Sequence, residues 1–224
     1  MLLAIDRSLP SASMALFDGA VCLGALAAAP APARAAVGTV AQPWETLLDG
    51  LLASTGASLS GIDRFAIGLG PGSFSGIRSA LAFAKGLSLP GANPVLGFPS
   101  AAAMAWEAFR RQPGAERVFI VGDARRDTWW IADYARRGRG TDSAFSGNID
   151  CLSVEEALSR LAAAPGVPVL SPDFARHDGR IAGLRPFPTD GDRPLAQALG
   201  ELANAAPDLA LAPPVPLYLH PAVR

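Results

Sequence analysis

Gly70-Pro71-Gly72-Ser73-Phe74-Ser75-Gly76-Ile77-Arg78 joins an apolar run at residues 64–69, which reads as a strand, to a helix predicted over residues 75–89. Two glycines flanking a proline permit a tight turn whose successive backbone N–H groups point one way, directly before a helix N-terminus, and such a turn can cradle an anion. The segment departs from both common phosphate-binding templates. A P-loop would place Lys-Ser or Lys-Thr after Gly76, where Ile77-Arg78 stands, and a dinucleotide fingerprint begun at Gly70 would need glycine at position 75, which is Ser75. A strand-to-helix turn whose glycines relieve backbone crowding accounts for the same residues. From the residues alone, Gly70, Gly72 and Ser73 are candidates for contact with a cofactor.

Upstream, Leu2-Leu3-Ala4-Ile5 is a continuous apolar run that ends at Asp6. Residues 11–17 read as a second strand, Asp18-Gly19 as a two-residue hairpin signal, and residues 20–28 as a third strand. Trp44, Leu47, Leu48, Leu51 and Leu52 then recur at the spacing of one helix face within 43–54, with Pro43 suited to a first turn and Gly56 to a stop. On the predicted 75–89 helix, Ile77, Ala80, Leu81, Ala84 and Leu87 share a face; a strand follows at 94–98, and Ser100 reads as the cap of a helix through Phe109. The order βββαβαβα is that of a ribonuclease H-like half.

A similar order then begins again. Residues 117–123 form an apolar strand ending in Asp123, as the first ends in Asp6, with further strands predicted at 127–134, 148–152 and 167–170 and a helix at 153–164. From residue 171 the second copy weakens into a Pro- and Gly-rich stretch with one helix near 194–205. Two degenerate copies of one unit predict an α/β, two-lobed actin/Hsp70-like fold, with lobes at 1–110 and 111–224.

A chain of 224 residues that is 50% hydrophobic and 17% charged, with net charge -1, suits a globular protein with a sizeable core and carries no chain-wide basic footprint for nucleic acid. Arg110-Arg111, Arg125-Arg126 and Arg136-Arg137 with Arg139 read as solvated surface arginines. Cys22 and Cys151 show neither pairing nor metal spacing and read as small hydrophobes in a reducing compartment. The N-terminus lacks a basic segment, Pro30 and Pro32 interrupt the Ala-rich run at 20–36, and no stretch reaches the roughly 18 apolar residues of a membrane span. The expectation is a cytoplasmic protein without signal peptide or membrane contact.

Asp6 could orient a metal or a nucleotide phosphate, but Asp6-Arg7-Ser8-Leu9 has no glycine to admit a phosphate closely. Asp6 accepting hydrogen bonds from its own turn is the simpler role, and Asp123-Ala124-Arg125-Arg126 poses the same choice. His177 and His220 have no acidic or histidine partner at i+4, and no Gly-x-Ser-x-Gly elbow surrounds a serine. No catalytic residue, metal ligand or cofactor is therefore assigned.

Gly70 to Arg78 closely resembles the Gly-Pro-Gly-Ser-Phe-Thr-Gly-Leu-Arg segment of the TsaB (YeaZ-type) family. Leu2-Leu3-Ala4-Ile5-Asp6 with Ser8 is similar to that family's Leu-Ala-Ile-Asp-Thr-Ser start, with Arg7 in place of the threonine. Ser58-Leu59-Ser60-Gly61-Ile62-Asp63, Val95 to Ser100 and the closing Pro216-Leu217-Tyr218-Leu219 also fit in order. The resemblance implies a non-catalytic, dimerising scaffold subunit. Its partner would be the paralogue TsaD, the metal- and nucleotide-binding subunit that places threonylcarbamoyl on adenosine 37 of tRNA, together with a TsaE-like ATPase. Contact with tRNA would come only through the complex, and a homodimer in isolation is left open. It implies a partner interface on the first two helices, at Trp44, Leu47, Leu48, Leu51, Ile77, Ala80, Leu81 and Ala84. Core packing explains the same apolar stripes. The alternative from another class is a small nucleotide-dependent kinase or hydrolase acting at Asp6 and the Gly70–Gly76 turn.

Overall fold

The computed structural model describes residues 1–28, 43–136, 145–177, 179–188 and 193–219. Arg137, Arg139, His220 and the Ala- and Pro-rich run at 29–36 lie outside them. In chain order the first elements are β1 (Leu2–Asp6), β2 (Ser13–Asp18), β3 (Val21–Ala27), α1 (Trp44–Thr55), β4 (Arg64–Gly68), α2 (Phe74–Ser88), β5 (Val95–Phe98) and α3 (Ser100–Arg111). They continue with β6 (Arg117–Arg125), β7 (Thr128–Arg136), β8 (Phe145–Ser153), α4 (Val154–Ala162), β9 (Val169–Ser171), α5 (Phe174–His177), β10 (Leu184–Pro186) and α6 (Leu195–Ala205). Contacts divide the chain into one unit of Met1–Ala103 with Asp190–Pro216 and another of Met104–Thr189 with Leu217–Arg224.

The sheet of the first unit has the order β3-β2-β1-β4-β5. β2 runs antiparallel to both β1 and β3, whereas β4 runs parallel to β1 and to β5. β1 is buried along its whole length, which explains why it reads as an unbroken apolar run rather than an alternating one. Side chains on β2 alternate between two helix layers. Ser13 accepts from the Ala196 amide of α6 at 3.1 Å, and Phe17 lies against Gly200 of α6, where a β-carbon would overlap its ring. The opposite face carries Gly24 of β3 beneath Leu51 and Thr55 of α1. The β2–β3 turn sits one residue later than the Asp18-Gly19 signal, since Asp18 pairs with Val21 and Gly19 takes a φ of +55°. Gly56 ends α1 in the left-handed conformation at φ 68°, as its place after the apolar stripe predicted.

The second unit repeats this topology. Its sheet order is β10-β9-β6-β7-β8, with β6, β7 and β8 forming an antiparallel meander and β9 and β10 added in parallel. Ser153 and Glu156 form a reciprocal capping box at the start of α4. A core of Phe119, Val121, Trp129, Ile131, Ala157, Leu161, Val169 and Ile181 fills the space under that helix. The sequence reading missed α5 and β10, which are too short to show a period, at four and three residues. Among the described residues no helix is long and apolar enough to cross a membrane.

Candidate functional site

Asp6 ends β1 with 1% exposure. Its Oδ1 accepts from the Ser8 amide at 2.8 Å and from the Ser8 hydroxyl at 2.7 Å, while its Oδ2 accepts from Ser100 Oγ at 2.6 Å. Ser100 Oγ in turn accepts from the Gly70 amide at 3.0 Å. The Ser100 hydroxyl thus bridges Asp6 and Gly70, and the capping role expected for it is replaced by this tie at the start of α3. Burial drives the Asp6 carboxyl above the ordinary carboxylate range, and the hydrogen bonds from Ser100 and Ser8 offset this only in part.

The Gly70–Gly76 turn closes over the same spot. Gly70 and Gly72 have φ values of 95° and 151°, outside what residues with a β-carbon adopt readily. A β-carbon at Gly68 would overlap the Asp6 carboxylate, one at Gly72 the Ser8 carbonyl, and one at Gly76 the Arg7 carbonyl. The glycines therefore let the Asp6 carboxylate and the backbone at Arg7 and Ser8 lie directly against this segment. Three amides of the turn already have internal acceptors: Gly70 donates to Ser100, Ser73 to the Ser8 carbonyl at 2.8 Å, and Gly76 to Ser73 Oγ at 3.2 Å. Ser73 is the N-cap of α2.

The structure brings Asp6, Gly70, Gly72 and Ser73 together. It adds Ser8 and Ser100 as the residues that hold them. The signal for Ser8 was readable, because Asp-x-Ser favours a turn in which the carboxylate accepts from the residue two on. Ser100 is remote in sequence and carried no such signal. Both Asp6 oxygens are engaged, and among the described residues no three His, Cys, Asp or Glu side chains converge.

The helix residues singled out for partner contact face the chain's own core. Leu47, Leu48 and Leu51 of α1 and Ile77, Ala80, Leu81 and Ala84 of α2 are all buried, and Trp44 is half-buried, stacked on Phe83 at 5.6 Å with the Arg7 guanidinium 5.5 Å from its ring. The exposed side of α2 carries Phe74, Arg78, Ala82 and Gly86 at four-residue steps, with Leu89 just beyond the helix. Phe74 and Leu89 are 55% and 77% exposed, the Arg78 guanidinium lies 4.1 Å from the Phe74 ring, and nothing stands within 4 Å of where a Gly86 β-carbon would be.

Asp123, two residues before the end of the corresponding strand β6, is handled differently. Its Oδ1 accepts from the Arg125 amide at 2.8 Å, and its Oδ2 meets Arg176 at 2.7 Å and Arg125 at 3.1 Å. Burial pushes its carboxyl up, but the Arg125 amide and the two guanidinium groups outweigh that and hold it below the usual range.

A family model described as "TsaD: tRNA N6-adenosine threonylcarbamoyltransferase" matches residues 41–176. The chain is 37% identical over 94 residues to the tRNA threonylcarbamoyladenosine biosynthesis protein TsaB of Escherichia coli, an alignment covering 42% of this chain and 40% of that protein. It is 36% identical over 90 residues to the protein of the same name from Haemophilus influenzae, covering 40% of this chain and 38% of that one. Each alignment thus spans less than half of the curated relative. The solved structure of YeaZ from Pseudomonas aeruginosa is 27% identical, with a TM-score of 0.71 over 97% of this chain and 99% of that one. The fold, with its repeated sheet topology, is the two-lobed actin/Hsp70-like one.

Proposed function

Because the chain belongs to the TsaD family of tRNA N6-adenosine threonylcarbamoyltransferases, and within it to the TsaB/YeaZ type, we propose that it is an accessory subunit in the biosynthesis of N6-threonylcarbamoyladenosine in tRNA. It acts in the cytoplasm by binding a TsaD-type catalytic paralogue, alongside a TsaE-type ATPase. The observation that carries the non-catalytic part is the Asp6–Ser8–Ser100–Gly70 network. In it the residues best placed to meet a nucleotide are buried and bonded to one another. A small kinase or hydrolase working at Asp6 would need that network opened and a desolvated carboxylate re-exposed.

The partner face of this reading is the exposed side of α2, where small residues between Phe74 and Leu89 allow a second helix to approach closely. The buried stripe named from the sequence supports that face from below by fixing α1 and α2 on the sheet. The test is nucleoside mass spectrometry of tRNA from cells depleted of the chain. Depletion lowers N6-threonylcarbamoyladenosine, and both the wild-type chain and Asp6→Asn restore it. Restoration by wild type but not by a folded Asp6→Asn protein would assign Asp6 to chemistry and end the accessory reading.

A further inference from the structure

We propose that the arginines gathered at the Asp123 end of the second unit form a docking surface for the phosphate backbone of RNA. The proposal rests on the reading above, that the chain serves a tRNA-modifying complex. Several arginines of this unit pair with carboxylates, and Arg136 is held by the Phe109 and Ala115 carbonyls. Arg117 makes a two-pronged pair with Asp133 at 2.8 and 2.7 Å, Arg160 reaches Asp133 and Asp150, and Arg110 and Arg111 share Glu107. At the end of β6 two arginines have no such partner. Asp123 Oδ2 serves both Arg176 and Arg125, while Arg126 and Arg180 have no carboxylate at ion-pair distance among the described residues. Asp173 uses its Oδ2 on the Asp123 amide at 3.1 Å, and Asp127 is exposed in the same turn as Arg126.

The geometry keeps these cations presented. The β6–β7 turn holds Arg125, Arg126 and Asp127 at φ values of 69°, 52° and 54°, three consecutive residues in the left-handed region that side chains disfavour. Strained backbone of this sort gathers at binding segments. Arg125 and Arg126 are exposed, and Arg125 shares Asp123 with Arg176, whose side chain is 51% accessible against 68% for Arg125. Arg180 is exposed too, its guanidinium 5.0 Å from the centre of the buried Trp129 ring. Each guanidinium has five N–H donors, so two arginines sharing one carboxylate oxygen keep donors for a phosphate, which Arg recognises in two-pronged fashion. A net charge of -1 gives the chain no general pull on nucleic acid, which makes a local concentration of unmatched arginine the relevant quantity.

The test uses the full chain and a fluorescein-labelled tRNA transcript, followed by anisotropy from about 50 to 200 mM salt. Arg126→Gln/Arg180→Gln removes the two cations without orphaning an acid, and thermal melting that overlays the wild type verifies the fold. The pair is expected to weaken binding about tenfold and to make the slope of log affinity on log salt shallower by about 1 to 2, while Arg64→Gln/Lys85→Gln in the first unit has little effect. The inference is overturned if the wild-type chain does not bind the transcript, if the control pair loses as much, or if the patch takes a poly-glutamate peptide and not RNA. Capture of a TsaD-type partner by the same proteins is read separately. Loss of RNA binding with capture intact supports the patch, and capture absent from the wild type counts against the accessory reading alone.

Discussion

The hydroxyl of Ser100 donates to Asp6 Oδ2 across 2.6 Å, tying the start of α3 to the end of β1 at a separation of 94 residues. With Ser8 on the other oxygen, it converts a carboxylate positioned like a ligand-binding group into a buried crosslink. The Asp6-Arg7-Ser8 connection then fits against the glycine turn as backbone packing.

Stability should depend on this crosslink in a pH-dependent way. The folded-state pKa of Asp6 is raised, foremost by burial. Between the ordinary carboxylate value and the raised one, the folded chain holds a proton that the unfolded chain has released, so this group's contribution falls as pH climbs through that window. Urea denaturation of both proteins from about pH 4 to 7 should show the stability of the wild type relative to Asp6→Asn declining as pH rises. Asp6→Ala strands the Ser8 amide and hydroxyl and the Ser100 hydroxyl, and should lose about 3 kcal/mol. An equal pH profile for Asp6→Asn and wild type would contradict the assignment.

Two glycines should respond with opposite signs. Gly72→Ala meets the Ser8 carbonyl at a φ of 151° and should destabilise by about 2–4 kcal/mol. Gly86→Ala, inside α2 and facing open space, should stabilise the isolated chain by about 1 kcal/mol. Denaturation midpoints of the two variants check both. A neutral Gly72→Ala would mean the turn is looser than described.

His177 gives the acid limb. It is fully buried with neither ring nitrogen hydrogen-bonded, edge-on to Trp129 at 4.5 Å, and faces Asp123, Asp173, Arg176 and Arg180. Burial, ahead of those charges, lowers its pKa below the ordinary 6.5. The unfolded chain therefore takes up a proton first as pH falls, and stability drops from pH 6.5 toward the lower folded value. His177→Phe should remove that part of the slope in thermal melts between about pH 5 and 7. Retention of the full slope would place the titrating group elsewhere.

The topology was legible in the sequence because its signals are local. β1 and β6 are apolar runs stopped by aspartate, α1 carries a leucine stripe, and glycines mark the turns. The return of α6 to the first sheet was hidden, since its apolar residues do not say which sheet they cover; the Ala196 amide on Ser13 and the Gly200–Phe17 contact settle it only in three dimensions. At the site, Asp6 and the glycine turn could be named, but Ser100, read as a helix cap, is engaged by a residue far along the chain. The leucine and alanine stripes marked the side of α1 and α2 that packs inward. A periodic apolar face looks the same whether it meets a partner or the core. Arg125 of β6 and Arg176 of α5 meet only at Asp123, so their convergence was invisible while the arginines read as scattered surface charge.

The central claim, that this chain works by binding a catalytic paralogue through the outer face of α2, is tested most directly by analytical ultracentrifugation of the chain mixed with a TsaD-type protein. The account predicts a one-to-one heterodimer for the wild type, lost in Phe74→Glu/Ala82→Arg while that variant, altered only at exposed positions, melts like the wild type. Leu48→Glu, by contrast, places a charge in the core and should unfold the chain. Separate boundaries for the wild-type proteins, or a heterodimer untouched by the α2 variant, would contradict it.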